Sequence, residues 1–317
     1  MQRLIGEYTG QERGTLIIAL AAIHGNEPAG IQALNRLFQM LEDEPKQNNG
    51  FIFQGRLVGF MGNIQAYERK LRFVKQDLNR QMTIENLKKA RLTPQYRLVF
   101  EDLELMELTQ AIKNEIIAYK PSRLIILDLH TTSAAGGIFS IVSDDEESLN
   151  LATKLNVPVV LGMVGKTGGT TLHYFNTANM GIPTVSVCFE AGQHNDAMSI
   201  QRTIAWLVNL LRSAKAISPF DVEHRHDLIL QNYSKSLPKV VELFYVHHIE
   251  PKHNFIMRPN FKNFQAIQAG EVLADDINGE IAALENCLLL MPLYQRQGKE
   301  GFFLVKEKAL KEKRMDG

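Results

Sequence analysis

The stretch TLIIALAAI, Thr15 to Ile23, runs straight into HGNEPAG, His24 to Gly30. A continuous apolar run of this length is far too short to span a bilayer. It suits a strand buried on both faces of a largely parallel sheet. Pro28 then opens a helical pattern, with Ile31, Leu34, Leu37, Phe38 and Leu41 at spacings of three and four. A buried strand, a short polar turn and an amphipathic helix form the repeating unit of an α/β domain.

The same alternation continues outward. Phe51–Met61 reads as a second strand, and Arg97–Tyr119 as a long amphipathic helix stopped before Pro121. Arg123–Leu129 (RLIILDL) is another buried strand, ending at His130. Ile138–Val142, Val157–Leu161 and Thr184–Phe189 follow as strands, and Asn195–Ala216 as a helix with the lone Trp206 on its apolar face. The expected fold class is α/β, a mixed sheet flanked by helices. After about residue 218 the segments become short and β-like (Val240–Val246, Glu271–Ala274, Asn286–Leu290, Gly301–Val305), with no long helical pattern. We therefore expect a larger α/β domain over residues 1–217 and a smaller β-rich C-terminal domain over 218–317. The final KEKALKEKR reads as a solvated charged tail.

Composition narrows the partners. With 35 basic and 35 acidic side chains, the chain has no general pull toward nucleic acid or anionic membrane. Cys188 and Cys287 lie far apart in apolar runs and read as reduced core thiols. The segment MQRLIGEYTGQERG lacks a basic–apolar–small pattern, so no signal peptide and a cytoplasmic location are expected.

In open α/β sheets, chemistry gathers beyond the carboxyl ends of the strands. Three such ends carry His24, His130 and Glu190. Hydrolytic zinc commonly takes three His or carboxylate ligands and leaves one position open. His24 and Glu27 in HGNE suit one tight turn, with Gly25 permitting unusual backbone angles, and His130 in DLHTT offers a third ligand. Asp77 and Asp128 are placed to orient a ligand imidazole. Glu190, at the mouth of TVSVCF, reads equally as a desolvated proton shuttle or as a structural carboxylate paired with backbone or an arginine. Within Gly62–Gln81 the cations Arg69, Lys70 and Lys75 suit a solvated face. Arg72 suits a developing oxyanion, and Asn79 with Arg80 a carboxylate. A separate metal site at His247, His248 and His253 is disfavoured, because neighbours on a strand point to opposite faces.

HGNE, then GN–x–x–A…RF…DLNR, then DLHTT, then a late strand ending in E–x–G together resemble the succinylglutamate desuccinylase/aspartoacylase family, zinc amidohydrolases related to the M14 zinc carboxypeptidases. The ordered motifs span Leu16 to Gln193, and AGEVLA with NCLLLMPLYQRQGKEGFFLV resembles the family's β domain. The resemblance implies one zinc on His24, Glu27 and His130, Glu190 as general base, Arg72 on the scissile carbonyl, and Asn79 with Arg80 on the substrate's α-carboxylate. It implies a deacylase acting on a small N-acylated molecule, and leaves homo-oligomerisation open. Two positions depart from aspartoacylase. Leu172 follows Thr170-Thr171 where an arginine is expected, and Phe302-Phe303 replaces a tyrosine pair that touches substrate. An apolar residue there disfavours a second substrate carboxylate. A carboxypeptidase-like peptide hydrolase and a catalytically silent binding protein are the alternatives.

Overall fold

The computed structural model describes residues 1–221, 225–250 and 252–309; the part of the charged tail from residue 310 onward lies outside them. Among the described residues there are fourteen strands: β1 (Leu4–Thr9), β2 (Glu12–Ala21), β3 (Gln54–Met61), β4 (Leu124–Thr132), β5 (Phe139–Val142), β6 (Val159–Leu161), β7 (Thr184–Gln193), β8 (Val240–His248), β9 (Ile256–Met257), β10 (Gln265–Ile267), β11 (Val272–Asp276), β12 (Gly279–Ala282), β13 (Cys287–Leu290) and β14 (Glu300–Glu307). Eleven form one mixed sheet in the order β1-β3-β2-β4-β7-β5-β6-β8-β14-β13-β10, and β12-β11-β9 form a second small sheet.

The centre of the large sheet is parallel, β3-β2-β4-β7, and both its faces are covered. Along β2 the side chains alternate. Ile17, Ala19 and Ala21 pack with Leu34, Phe38 and Trp206 from the helices Ala29–Gln47 and Met198–Ser213 on one face. Leu16, Ile18 and Leu20 pack with Leu105, Leu108 and Ile112 from the helix Phe100–Tyr119 on the other. This explains the unbroken apolar run: both phases of the strand meet a helix layer. Trp206 is fully buried, stacks on Phe189 at 4.9 Å and donates its indole N–H to Ser140 Oγ at 3.0 Å, which satisfies its single polar atom.

The β-rich C-terminal region does not stand apart from this sheet. β8 pairs parallel with β6, and β14, β13 and β10 extend it antiparallel. The region also contains a helix, Arg225–Ser234, where only strands were expected. Its apolar residues are the adjacent Leu228, Ile229 and Leu230, not a helically spaced stripe. Leu230 is buried and Leu228 exposed, so periodicity gave no helical signal. The helix near Pro121 begins at Phe100 rather than Arg97, because Asp102 turns back to accept from the Val99 amide.

Candidate functional site

β2, β4 and β7 end along one edge of the sheet, and their register brings the polar residues side by side. Leu20 pairs with Asp128 and His130 lies directly opposite Glu190. Beyond β2 the chain passes through Ala22 in the left-handed region (φ 53°) and turns into HGNE. Gly25 is needed here for a different reason from the one expected. It has no positive φ; instead the backbone of the segment Ile64–Glu68 passes so near that a Cβ would lie 2.1 Å from the Ala66 carbonyl carbon.

The turn and the strand end bring His24, Glu27 and His130 together, all buried, with their ligand-capable atoms within 4.8 Å of one another. His24 Nδ1 lies 2.9 Å from Glu27 Oε1, and His130 Nδ1 lies 3.1 Å from Glu27 Oε2. Two ligand atoms on a tetrahedral zinc with bonds of about 2.0–2.1 Å are about 3.3 Å apart, so the donor spacing and types fit that ion. Each imidazole has a carboxylate behind it. His24 Nε2 is 3.1 Å from Asp77 Oδ1, and His130 Nε2 is 2.9 Å from Asp128 Oδ2. That arrangement fixes the tautomer in which Nδ1 is left to bind a metal. Burial favours a neutral Glu27, but the two imidazoles outweigh it and hold its carboxyl well below the ordinary range. Burial likewise opposes the charge on Asp77, and His24 with Arg72 outweighs it in the same direction.

Glu190 is buried at the edge of the same cluster, and its Oε2 has no hydrogen-bond partner among the described residues. Burial pushes its carboxyl up to about 8; Glu27 and Asp128 add to the rise while His130 and Arg72 oppose it. A carboxyl so poised can take and return a proton near neutral pH. Arg72 holds Asp77 Oδ2 through Nη2 at 3.1 Å and reaches to 3.8 Å from Glu27 Oε1. Asn79 donates its backbone amide to Asp77 Oδ1, the cap of this short turn, at 2.9 Å; its side chain lies 3.4 Å from His130 Nε2 and accepts from the Thr171 amide at 2.9 Å. Arg69, Lys70 and Lys75 face solvent, with Arg69 stacked over Phe100 at 4.6 Å.

The buried polar cluster lines a cavity of about 120 Å³. Its polar end carries His24, Glu27, Arg72, Asn79, Arg80, His130 and Glu190, while Ile141, Met163, Leu172, Met291 and Phe303 supply apolar lining. Leu172 is buried in this lining. Only Phe303 of the phenylalanine pair faces the cavity. Phe302 projects to the other side of β14, where it stacks on His247 at 4.9 Å. His247 is thus packed among aromatics, and among the described residues no metal-type cluster forms with His248 or His253.

Two charged residues of consequence carried no sequence signal. Glu101, fully buried, accepts from the backbone amides of Val74 (2.7 Å), Lys75 and Gln76, fixing the loop that bears Arg72 and Asp77. Glu300, first residue of β14, forks onto Arg80. Glu101 lies in no motif, and Glu300, although within NCLLLMPLYQRQGKEGFFLV, is not marked out there; each is joined to its partners only by the fold.

Residues 13–214 match the model of the succinylglutamate desuccinylase/aspartoacylase catalytic domain. Among solved structures, the chain is similar to the succinylglutamate desuccinylase of Chromobacterium violaceum, at 17% identity over 98% of this chain and 95% of that one, with a TM-score of 0.63. It is also similar to a succinylglutamate desuccinylase/aspartoacylase from Rhodobacter sphaeroides (14% identity, 94% and 87% covered, TM-score 0.64). A third is the product-bound ectoine utilization protein EutE (DoeB) of Ruegeria pomeroyi (14%, 94% and 86%, TM-score 0.62). At these identities the likeness is one of fold. No curated protein matches the chain in sequence. Among the described residues no helix is long and apolar enough to cross a membrane.

Proposed function

The chain belongs to the succinylglutamate desuccinylase/aspartoacylase family, and from that membership we propose that it is a zinc-dependent amidohydrolase. In this reading it removes the acyl group from a small N-acyl amino acid or similar carboxylate-bearing amide, acting on a linear amide in the cytoplasm. The observation that carries the reading is the convergence of both imidazole Nδ1 atoms on Glu27, with Asp77 and Asp128 behind the rings and a buried Glu190 beside them. In the same reading residues 1–217 are the catalytic domain and 218–317 the β-rich C-terminal domain, which lends Met291, Glu300 and Phe303 to the cavity.

His24, Glu27 and His130 would hold the zinc; when bound, it supplies a Lewis acid that polarises a carbonyl and acidifies water. Glu190 takes the proton from the attacking water and returns it to the leaving nitrogen. Its burial makes its proton affinity suited to both transfers. Arg72 stabilises negative charge developing on the carbonyl oxygen. Asn79 and Arg80 anchor the substrate carboxylate, which positions the scissile bond.

Metal analysis of the purified protein, followed by turnover assays on a panel of N-acyl amino acids and short peptides, tests this. One zinc per chain with hydrolysis of N-acyl amino acids is the expected outcome. Stoichiometric zinc without any turnover overturns it in favour of a silent binding protein.

A further inference from the structure

Arg80 is the residue to which this reading assigns the substrate carboxylate, and it already has partners. Its Nε donates to Glu300 Oε1 at 3.0 Å and its Nη2 to Oε2 at 2.9 Å, a two-point fork. Its Nη1 donates to the carbonyl of Asn79 at 2.7 Å. A guanidinium has five N–H donors in a fixed plane, so these three contacts leave one N–H on Nη1 and one on Nη2. A carboxylate is matched by such a parallel pair. Arg80, Asn79 and Glu300 all line the cavity, and the Arg80–Glu300 pair is largely buried, at 16% and 11% side-chain exposure.

We propose that Glu300 is a positioning residue, which locks the Arg80 guanidinium so that its one remaining two-pronged edge receives a single substrate carboxylate. The inference rests on the deacylase reading for the identity of the ligand, and it makes β14 a necessary part of the site. Long arginine side chains lose considerable rotamer freedom when ordered, and Glu300 ensures that this ordering is complete before substrate arrives. The loop behind Arg80 supports the same orientation. Gly169 (φ 76°) packs so tightly that a Cβ there would lie 2.4 Å from the Arg80 carbonyl oxygen, and Met82 donates its amide to the Gly169 carbonyl at 2.9 Å. Arg72, the other arginine lining the cavity, is engaged with Asp77. A second carboxylate on the substrate therefore finds no free guanidinium among the described lining residues.

The opposite role for Glu300 is competition, in which its carboxylate occupies the guanidinium and keeps substrate carboxylates off. The two roles predict opposite signs. The test compares the zinc-loaded wild-type protein with Glu300→Ala and Glu300→Gln, using calorimetric binding of leucine and of leucinamide, together with hydrolysis of N-acetylleucine. Positioning predicts that wild type binds leucine at least tenfold more tightly than leucinamide. It predicts that Glu300→Ala weakens leucine binding and raises KM at least tenfold with kcat changed less than about threefold, and that Glu300→Gln recovers part of the loss through its remaining acceptor oxygen. Tighter leucine binding in Glu300→Ala overturns the proposal in favour of competition, and equal loss for leucine and leucinamide reduces Glu300 to a structural residue. Failure of wild type to prefer leucine over leucinamide also overturns it, without needing any variant to fold. If leucine binding behaves as expected but no N-acyl amino acid is hydrolysed, the deacylase reading fails while the role of Glu300 stands.

Discussion

His130 Nε2 lies 2.9 Å from Asp128 Oδ2, on the side of the ring opposite the Nδ1 that faces Glu27. Asp128 is fully buried, and its Oδ2 also accepts from the Thr171 hydroxyl. The carboxylate therefore sets which nitrogen carries the proton and how the ring is aimed. Loss of such a partner typically costs about 10–100-fold in metal affinity. Asp128→Asn should lower zinc affinity by about that range, read by chelator competition, with turnover partly restored by excess zinc. His130→Ala should abolish zinc retention. Wild-type zinc affinity in Asp128→Asn would show that the contact does not tune the ligand.

Glu190→Gln preserves shape and removes the titration. Zinc should stay bound while turnover falls by about 10²–10⁴-fold, the usual contribution of a general base. Burial raises the Glu190 carboxyl from 4.5 to about 8. A group whose folded pKa is raised contributes stability that is full below its unfolded value and lost as pH rises through the folded value. In the metal-free protein, wild type should therefore lose stability relative to Glu190→Gln between about pH 4.5 and 8. The loss is of the order of a few kcal/mol, at about 1.4 kcal/mol per unit. Glu27 and Asp77, with lowered carboxyls, act in the other direction but equally in both proteins. Thermal melting at pH 5 and 8.5 checks the difference. In the zinc-loaded enzyme a nearby cation favours the carboxylate, so the acidic limb of kcat/KM should lie below 8.

The central strands were legible because each is a short, dense run of apolar residues, and the polar residues at their ends stood out against it. The unbroken apolar run of β2 was readable as burial on both faces, and the structure supplies a helix layer on each. Strand alternation could be read at His247-His248, yet the same rule applied to Phe302-Phe303 separates them as well, leaving only Phe303 at the cavity. β1, β9, β10 and β12 are too short or too weakly patterned to register, and Leu228-Ile229-Leu230 hid a helix. Glu101 and Glu300 were invisible for another reason. Their meaning lies in what they touch, 25 to 27 and 220 positions away.

Glu101 makes its own prediction. Three backbone amides, of Val74, Lys75 and Gln76, point at one buried carboxylate. Glu101→Ala leaves them without an acceptor, and each buried unsatisfied group costs about 1–3 kcal/mol. Stability should fall by about 3 kcal/mol or more, lowering the melting temperature by several degrees. Because Arg72 and Asp77 flank these amides, kcat/KM should fall more than about tenfold at a temperature where the variant is folded. Glu101→Gln, which keeps one acceptor oxygen, should recover part of both losses. Destabilisation without loss of kcat/KM would confine Glu101 to the fold.

The apolar side of the cavity bears on the rest of the substrate. Met163 and Phe303 belong to one buried core cluster against which Ile141 and Met291 pack, and Leu172 lies buried in the same lining. A charged group placed against such a surface loses hydration with no partner to replace it. N-acetylaspartate should therefore be hydrolysed at least tenfold less efficiently than N-acetylleucine or N-acetylmethionine, measured as kcat/KM on the zinc-loaded enzyme. Leu172→Arg should narrow or reverse that ratio by supplying a guanidinium, at the cost of stability while the cation lacks a ligand. Adding N-acetylaspartate should then raise the melting temperature of Leu172→Arg more than that of wild type. Efficient N-acetylaspartate hydrolysis by wild type would show that the acidic side chain finds a partner elsewhere, and that Leu172 does not set the specificity.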